Sequence, residues 1–322
     1  MSQASKTDAS VNAMAKYAIE LQGVCKSFRR TQVLSNLTMR VERGKTFAFL
    51  GRNGAGKTTT IRMLLGLLNR DQGDVRVLGL DPTAEPLKVR ARVGYLAEDQ
   101  QMYGWMRVEE IVRFVAPFYA TWDHDLALKY LREFELPLAT KIKHLSKGQN
   151  VRLGLVLALA HRPELVILDD PALGLDPVMR KQFNRDLITH LQGEGRTVFY
   201  SSHLLYEVEP VADEVAILDG GRMVRQADTE TLRRDVKQFV LDRAALAAVR
   251  DDMSVLELQR AGEDVAATVQ NASAVRALLD REGIGYRVND LNLDEIFAAY
   301  VAGKIDDDAA ARAVMDELAP QR

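Results

Sequence analysis

Eight consecutive residues, Gly51-Arg52-Asn53-Gly54-Ala55-Gly56-Lys57-Thr58, follow the pattern G-x-x-x-x-G-K-S/T. The glycines allow successive backbone N–H groups to turn inward around an anion. A helix starting at the lysine would aim its positive end at the same point. Gly51, Asn53, Gly54, Ala55, Gly56, Lys57, Thr58 and Thr59 are therefore the expected phosphate-binding residues, with Lys57 reaching the outer phosphates and the Thr58 hydroxyl holding magnesium. A second chemical element ends the run Leu165-Val166-Ile167-Leu168-Asp169-Asp170. A carboxylate at the C-terminal edge of a buried strand, facing a phosphate loop, can orient a magnesium ion and its waters, and Asp169 is placed for that role.

Positioning these groups needs strands that end beneath the phosphates. Thr46–Leu50 is a continuous apolar run stopped by glycine, the pattern of a strand buried on both faces. Similar runs recur at 74–78, 93–96, 165–168, 197–200 and 214–218, and alternating segments at 19–24 and 37–41 predict antiparallel strands. Helical spacing is predicted over 58–68, whereas 105–144 is helix-periodic with no strand, which reads as a helical insertion. From about residue 237 the pattern restarts with four strands and two helices, the helices at 272–281 and 294–301. This predicts a separate small α+β domain. Asp306-Asp307-Asp308 opens a last polar helix, read as a solvated tail rather than a metal site.

Composition narrows the setting. The chain has 322 residues, 47% of them hydrophobic, enough for a sizeable core and two domains. Its 43 basic and 45 acidic residues nearly cancel, so no global field argues for a nucleic-acid partner. One cysteine, Cys25, excludes an intramolecular disulfide and suits a reducing cytoplasm. The first 16 residues lack an apolar core and read as a disordered tail, not a signal peptide. The longest apolar run, Leu153–Ala160, falls far short of the ~20 residues a membrane span needs, so any channel must come from another polypeptide.

Between the phosphate loop and Asp169 lies Leu145-Ser146-Lys147-Gly148-Gln149, which resembles the signature of the ABC ATPases, with lysine where that family usually has glycine. Gly174-Leu175-Asp176-Pro177 resembles the family's D-loop, and Asp-Pro is independently a sound helix opening. His203 matches the switch histidine, and Phe28 stands where an aromatic stacks on adenine. Leu291-Asn292-Leu293-Asp294-Glu295-Ile296-Phe297 looks like the motif ending the C-terminal extension of drug-resistance and polysaccharide-type exporter ATPases. The resemblance covers roughly residues 17–232. It implies an α/β fold, a P-loop ABC ATPase with an antiparallel β subdomain and a helical subdomain about 105–160, plus a small C-terminal α+β domain. The implied boundaries are 1–16 tail, 17–235 ATP-binding domain, 236–303 extension and 304–322 polar tail.

The same resemblance implies ATP and Mg2+ as ligands, integral membrane permease subunits as partners, and a second copy or a related subunit whose nucleotide is gripped by Ser146, Gly148 and Gln149. It also implies a cytoplasmic location, peripheral on the inner face of the cell membrane, with export favoured over import. Two departures qualify this. Asp170 stands where the family has glutamate as the base for the attacking water, and its shorter side chain predicts slow turnover or a site whose partner subunit supplies the stronger base. Glu98 stands where glutamine normally senses the metal and the membrane partner, with Gln100 as the alternative if the loop is shifted. Tyr103, Trp105 and Met106 read either as a socket for a partner's helix or as packing inside the helical subdomain. A channel-free or regulatory ATPase, or a nucleotide-gated switch, uses the same residues.

Overall fold

The computed structural model describes residues 16–187, 190–191, 195–203 and 208–302, which fall into two compact units, Met1–Gln226 and Ala227–Arg322. Residues 1–15 and the triplet Asp306-Asp307-Asp308 lie outside the described residues.

In the first unit every residue of β3 (Thr46–Gly51) is buried, which is why its sequence carries no polar face. It lies inside a six-stranded sheet with β5 (Val93–Leu96), β6 (Leu165–Asp169), β7 (Thr197–Ser202), β8 (Glu214–Asp219) and β9 (Arg222–Asp228), in the order β5-β6-β7-β3-β8-β9. The pairs from β5 to β8 are parallel, so their C-terminal ends share one edge, where ligands bind in open α/β sheets. β9 is absent from the sequence reading. It follows the Gly220-Gly221 turn, and its five central residues are all half-buried, so no apolar alternation marks it.

A second sheet, order β2-β1-β4, is antiparallel where β1 (Tyr17–Phe28) pairs with β2 (Thr31–Glu42) and β4 (Gln72–Val77). β1 extends well past the expected 19–24 because register shifts after Leu21 and Val24 break the period-2 alternation. Ile19, Leu21 and Val75 share one core with Phe47, Phe49 and Ile167, so the two sheets pack face to face. The helix after the phosphate loop, α1 (Lys57–Leu64), is shorter than the expected 58–68. Gly66 at φ 64° ends it, its N–H donating to the Met63 carbonyl and that of Leu67 to the Arg62 carbonyl.

The helical block contains α2 (Val108–Val115), α3 (His124–Glu133) and α4 (Lys147–Leu159), with no strand longer than the single bridge Arg107–Lys141. Two lysines and a histidine over 141–144 precede Ser146, whose hydroxyl accepts from the Gln149 N–H at 3.2 Å. The Gln149 amide oxygen in turn accepts from the Ser146 N–H at 3.0 Å, a reciprocal capping box that fixes where α4 begins. Asp176 caps α5 (Pro177–Leu187) by accepting from the N–H groups of Val178 and Met179, both at 2.9 Å.

The second unit holds an antiparallel four-stranded sheet, order β11-β12-β10-β13, made of β10 (Lys237–Leu241), β11 (Val255–Ala261), β12 (Asp264–Val269) and β13 (Tyr286–Asn289). The helix Ala272–Arg281 closes its core through Val275 and Leu279 against Phe239, Val265 and Ala267. In the motif at 291–297, Asn292 and Glu295 form a capping box while Leu293 and Ile296 are fully buried, so the helix Leu293–Val301 is defined by that motif. Among the described residues, no helix is long and apolar enough to cross a membrane.

Candidate functional site

The phosphate loop turns at Gly54 and Gly56, whose φ values of 82° and 110° lie where side chains are strained. Gly56 is doubly required, because a Cβ there would meet Leu34 Cδ2 at 2.6 Å. The loop delivers Lys57, a buried lysine, to the end of β3. Its ammonium donates to the Gly51 carbonyl at 2.8 Å and lies 3.6 Å from Asp170 Oδ2. A glycine turn beside a buried ammonium has the charge and the backbone donors to receive an anion.

Above it opens a cleft of about 520 Å³. Arg52, Asn53, Gly54, Gly56, Lys57, Thr58 and Thr59 line one side, and Phe28, Val33, Glu98 and Asp170 complete it. Phe28 is 45% exposed, an aromatic face open to a ligand at the end of β1, with the Lys26 ammonium 5.5 Å from its ring centre. Gly51 and Ala55 belong to the loop but are buried. Glu98 faces the cleft. Gln100 does not: it packs against α4, where a Cβ on Gly154 would lie 2.0 Å from its amide oxygen.

Asp169 is 2% exposed and accepts from the Ser201 hydroxyl at 2.7 Å. The β6–β7 register sets Ser201 directly beside it. Burial raises the Asp169 carboxyl above the usual carboxylate range and the neighbouring Asp170 charge adds to this, while Ser201, Lys57 and Thr58 oppose it. A buried carboxylate with that balance, next to the Thr58 hydroxyl, fits a divalent cation. Mg2+ takes one or two protein oxygens and completes its shell with water and substrate phosphates, in keeping with a site that offers no cluster of three metal-ligating side chains among the described residues.

Asp170 sits at φ 43°, a left-handed conformation that aspartate tolerates better than most residues. Its Oδ1 accepts from the His203 backbone N–H at 3.1 Å and meets His203 Nδ1 at 2.7 Å. Its own N–H donates to the Ser201 carbonyl at 3.0 Å. Phosphate loop, Asp169, Asp170 and His203 are thus joined by direct contacts. Ser201 was not foreseen from sequence, although pairing the strands that end at Asp169 and Ser202 would have placed it there. Close to the site, burial, reinforced by the Asp169 and Glu98 charges, pushes the Tyr95 hydroxyl up to about 12.

Ser146, Gly148, Gln149 and Asp176 do not line this cleft. Of these, Gly148 lies at a separate contact between α4 and α5, where a Cβ on it would meet Met179 Cε at 1.7 Å. Ser146 and Asp176 are exposed, and the hydroxyl and carboxylate each serve as a helix cap. Tyr103, Trp105, Phe114 and Phe118 form an exposed run of rings spaced 5.6–6.0 Å apart, with Met106 half-buried beside them. Tyr103 and Trp105, at 52% and 66% exposed, are not packed inside the helical block.

Comparison with known proteins gives the chain's family. The family model described as ABC transporter matches residues 34–173. The chain is 30% identical to the daunorubicin/doxorubicin resistance ATP-binding protein DrrA of Streptomyces peucetius, over 95% of this chain and 99% of that protein. It is 31% identical to the bacitracin transport ATP-binding protein BcrA of Bacillus licheniformis, over 69% of this chain and 73% of that one. A solved structure of an ATP-binding subunit of an ABC transporter superposes with a TM-score of 0.61 at 29% identity, covering 67% of this chain and 92% of the other. With its phosphate loop, acidic strand end and signature helix, this chain belongs to the ABC transporter ATP-binding proteins.

Proposed function

We propose that the chain is the ATP-hydrolysing motor of an exporter, working as a head-to-tail dimer beneath separate integral membrane subunits. The observation that carries this reading is the separation of two groups of residues: the phosphate cleft is lined as far as Asp170, which meets His203, while the start of α4, with Ser146 exposed, Gln149 half-buried and Gly148 buried, lies outside that lining. A second copy turned head to tail brings the missing half. In the cleft, the loop amides and Lys57 hold the phosphates and Phe28 offers its ring to adenine. Bound Mg2+, held by Thr58 and Asp169, would neutralise phosphate charge. His203 keeps Asp170 in place, and Asp170 is the carboxylate available to accept a proton from an attacking water.

The exposed rings of Tyr103, Trp105, Phe114 and Phe118 supply an apolar surface of the kind a membrane subunit's helix would cover. Export is supported by relatives named for drug resistance and bacitracin transport. A peripheral position on the inner face of the cell membrane follows from the same reading. A nucleotide-gated switch is the second reading, favoured by the short reach of Asp170.

Phosphate release by the purified chain with Mg2+ and ATP separates the two. A motor hydrolyses ATP and loses on the order of 100-fold or more with Lys57→Ala, the scale of removing one electrostatic stabiliser of a transition state. Saturable nucleotide binding with no turnover, even in Asp170→Glu, would favour the switch.

A further inference from the structure

Two charged residues, Glu98 and Lys147, depart from the usual pattern at the two surfaces that head-to-tail pairing would bring together. At and behind the phosphate cleft, the carboxylates of Glu98, Asp169 and Asp170 face two cations, Lys57 and Arg52, and Lys57 already lies 3.6 Å from Asp170. On the lining alone Glu98 and Asp170 balance Lys57 and Arg52, so the cleft has no cation to spare before any triphosphate enters. Glu98 is exposed, and among the described residues its side chain makes neither a hydrogen bond nor an ion pair. Lys147 is also exposed at the first turn of α4. Its ammonium reaches over the backbone of Gly174, where a Cβ would lie 2.3 Å away, and among the described residues it too lacks an anionic partner.

Resting on the head-to-tail reading, we infer that the intended partner is a second copy of this chain, with Lys147 of each copy pairing with Glu98 of the other. The extra carboxylate in the cleft is then answered by the extra cation of the opposite signature. A two-fold axis makes every such contact twice, so the pair favours self-association. A related subunit carrying glycine and glutamine at these positions would leave both charges unanswered, which discriminates against it. Charge pairing of this kind acts on partner choice and on encounter.

The test uses the full-length chain with saturating Mg2+ and a non-hydrolysable ATP analogue, and sedimentation velocity to measure the dimer dissociation constant. Glu98→Lys alone sets lysine against lysine at both contacts, and Lys147→Glu alone sets glutamate against glutamate. Each is expected to weaken the dimer by about 100-fold, tenfold per contact, within the range measured for close interfacial charge pairs. Both side chains are exposed, so an unchanged melting temperature should accompany the loss. Mixing the two single variants creates a heterodimer in which both contacts again join opposite charges, and the mixture should recover to within about threefold of wild type. The control Arg52→Gln should show no such coupling to Lys147→Glu. Failure of the mixture to recover, with wild type dimerising normally, would overturn the pairing and assign Lys147 to the phosphates or to no contact. A wild-type chain that stays monomeric with the analogue would overturn the head-to-tail reading and the pairing with it.

Discussion

Lengthening Asp170 by one methylene puts the proposed base to a direct test. The present carboxylate is drawn toward His203, whose backbone N–H and Nδ1 both meet Oδ1, and toward Lys57 on the other oxygen. Its Cα is set by the end of β6 and by the Asp170 N–H bond to the Ser201 carbonyl, so the backbone cannot advance to compensate. Asp170→Glu moves the carboxylate outward by about one bond length, ~1.5 Å. A misplacement near 1 Å costs a reaction on the order of 100-fold, so the change should raise kcat by roughly 10- to 100-fold, about 1.4–2.7 kcal/mol of barrier. Against this stands the backbone: at φ 43° glutamate is less tolerated than aspartate, which should cost about 1 kcal/mol of stability and a few degrees of Tm. Phosphate release under saturating ATP, with Tm measured alongside, separates the two effects. An unchanged or lower kcat in a folded Asp170→Glu variant would refute the claim that side-chain length limits the rate.

Ser201→Ala removes the 2.7 Å bond to Asp169, whose carboxyl is already raised by burial, and raises it further. Since the ionised form is the one that fits Mg2+, metal-dependent nucleotide binding should weaken by about 10- to 100-fold, the worth of a hydrogen bond to a charged group, and its acid limb should move to higher pH; calorimetric titration at two pH values reads both. His161 is 1% exposed and stacks on Tyr119 with ring centres 4.0 Å apart, and burial depresses its imidazole to about 4. A depressed histidine contributes stability that is complete above its unfolded value near 6.5 and is lost as pH falls toward 4. Denaturant unfolding at pH 7 and pH 5 should therefore show about 2 kcal/mol less acid loss in His161→Leu than in wild type. Because Glu98 faces the cleft and Gln100 packs on α4, Glu98→Gln should shift the Mg2+ dependence of hydrolysis, and Gln100→Ala should leave it in place; a shift with Gln100→Ala would reverse that assignment.

The parts proposed to hold phosphate were legible because their chemistry is local. A glycine-rich turn between an apolar strand and a helix needs no tertiary information to be read, and β3, β6 and β7 announce themselves by being apolar on both faces. What escaped depends on pairing. β1 hides its length behind register shifts, and β9 is half-buried throughout its centre. Ser201 became a partner of Asp169 only through the parallel register of β6 and β7. Helix α1 stops early at Gly66, a glycine inside an apparently continuous apolar stripe. That Gln100 packs on α4 while Glu98 lines the cleft depends on the room Gly154 leaves, a contact across more than fifty residues that no local pattern encodes.

The most direct measurement is an affinity purification of the tagged chain, expressed at its native level, from gently solubilised membranes. Recovery of a polytopic membrane protein in stoichiometric amount is the result expected of a motor beneath a permease. Recovery from the soluble fraction alone, with no integral partner, would contradict the transporter reading and leave a channel-free ATPase or switch.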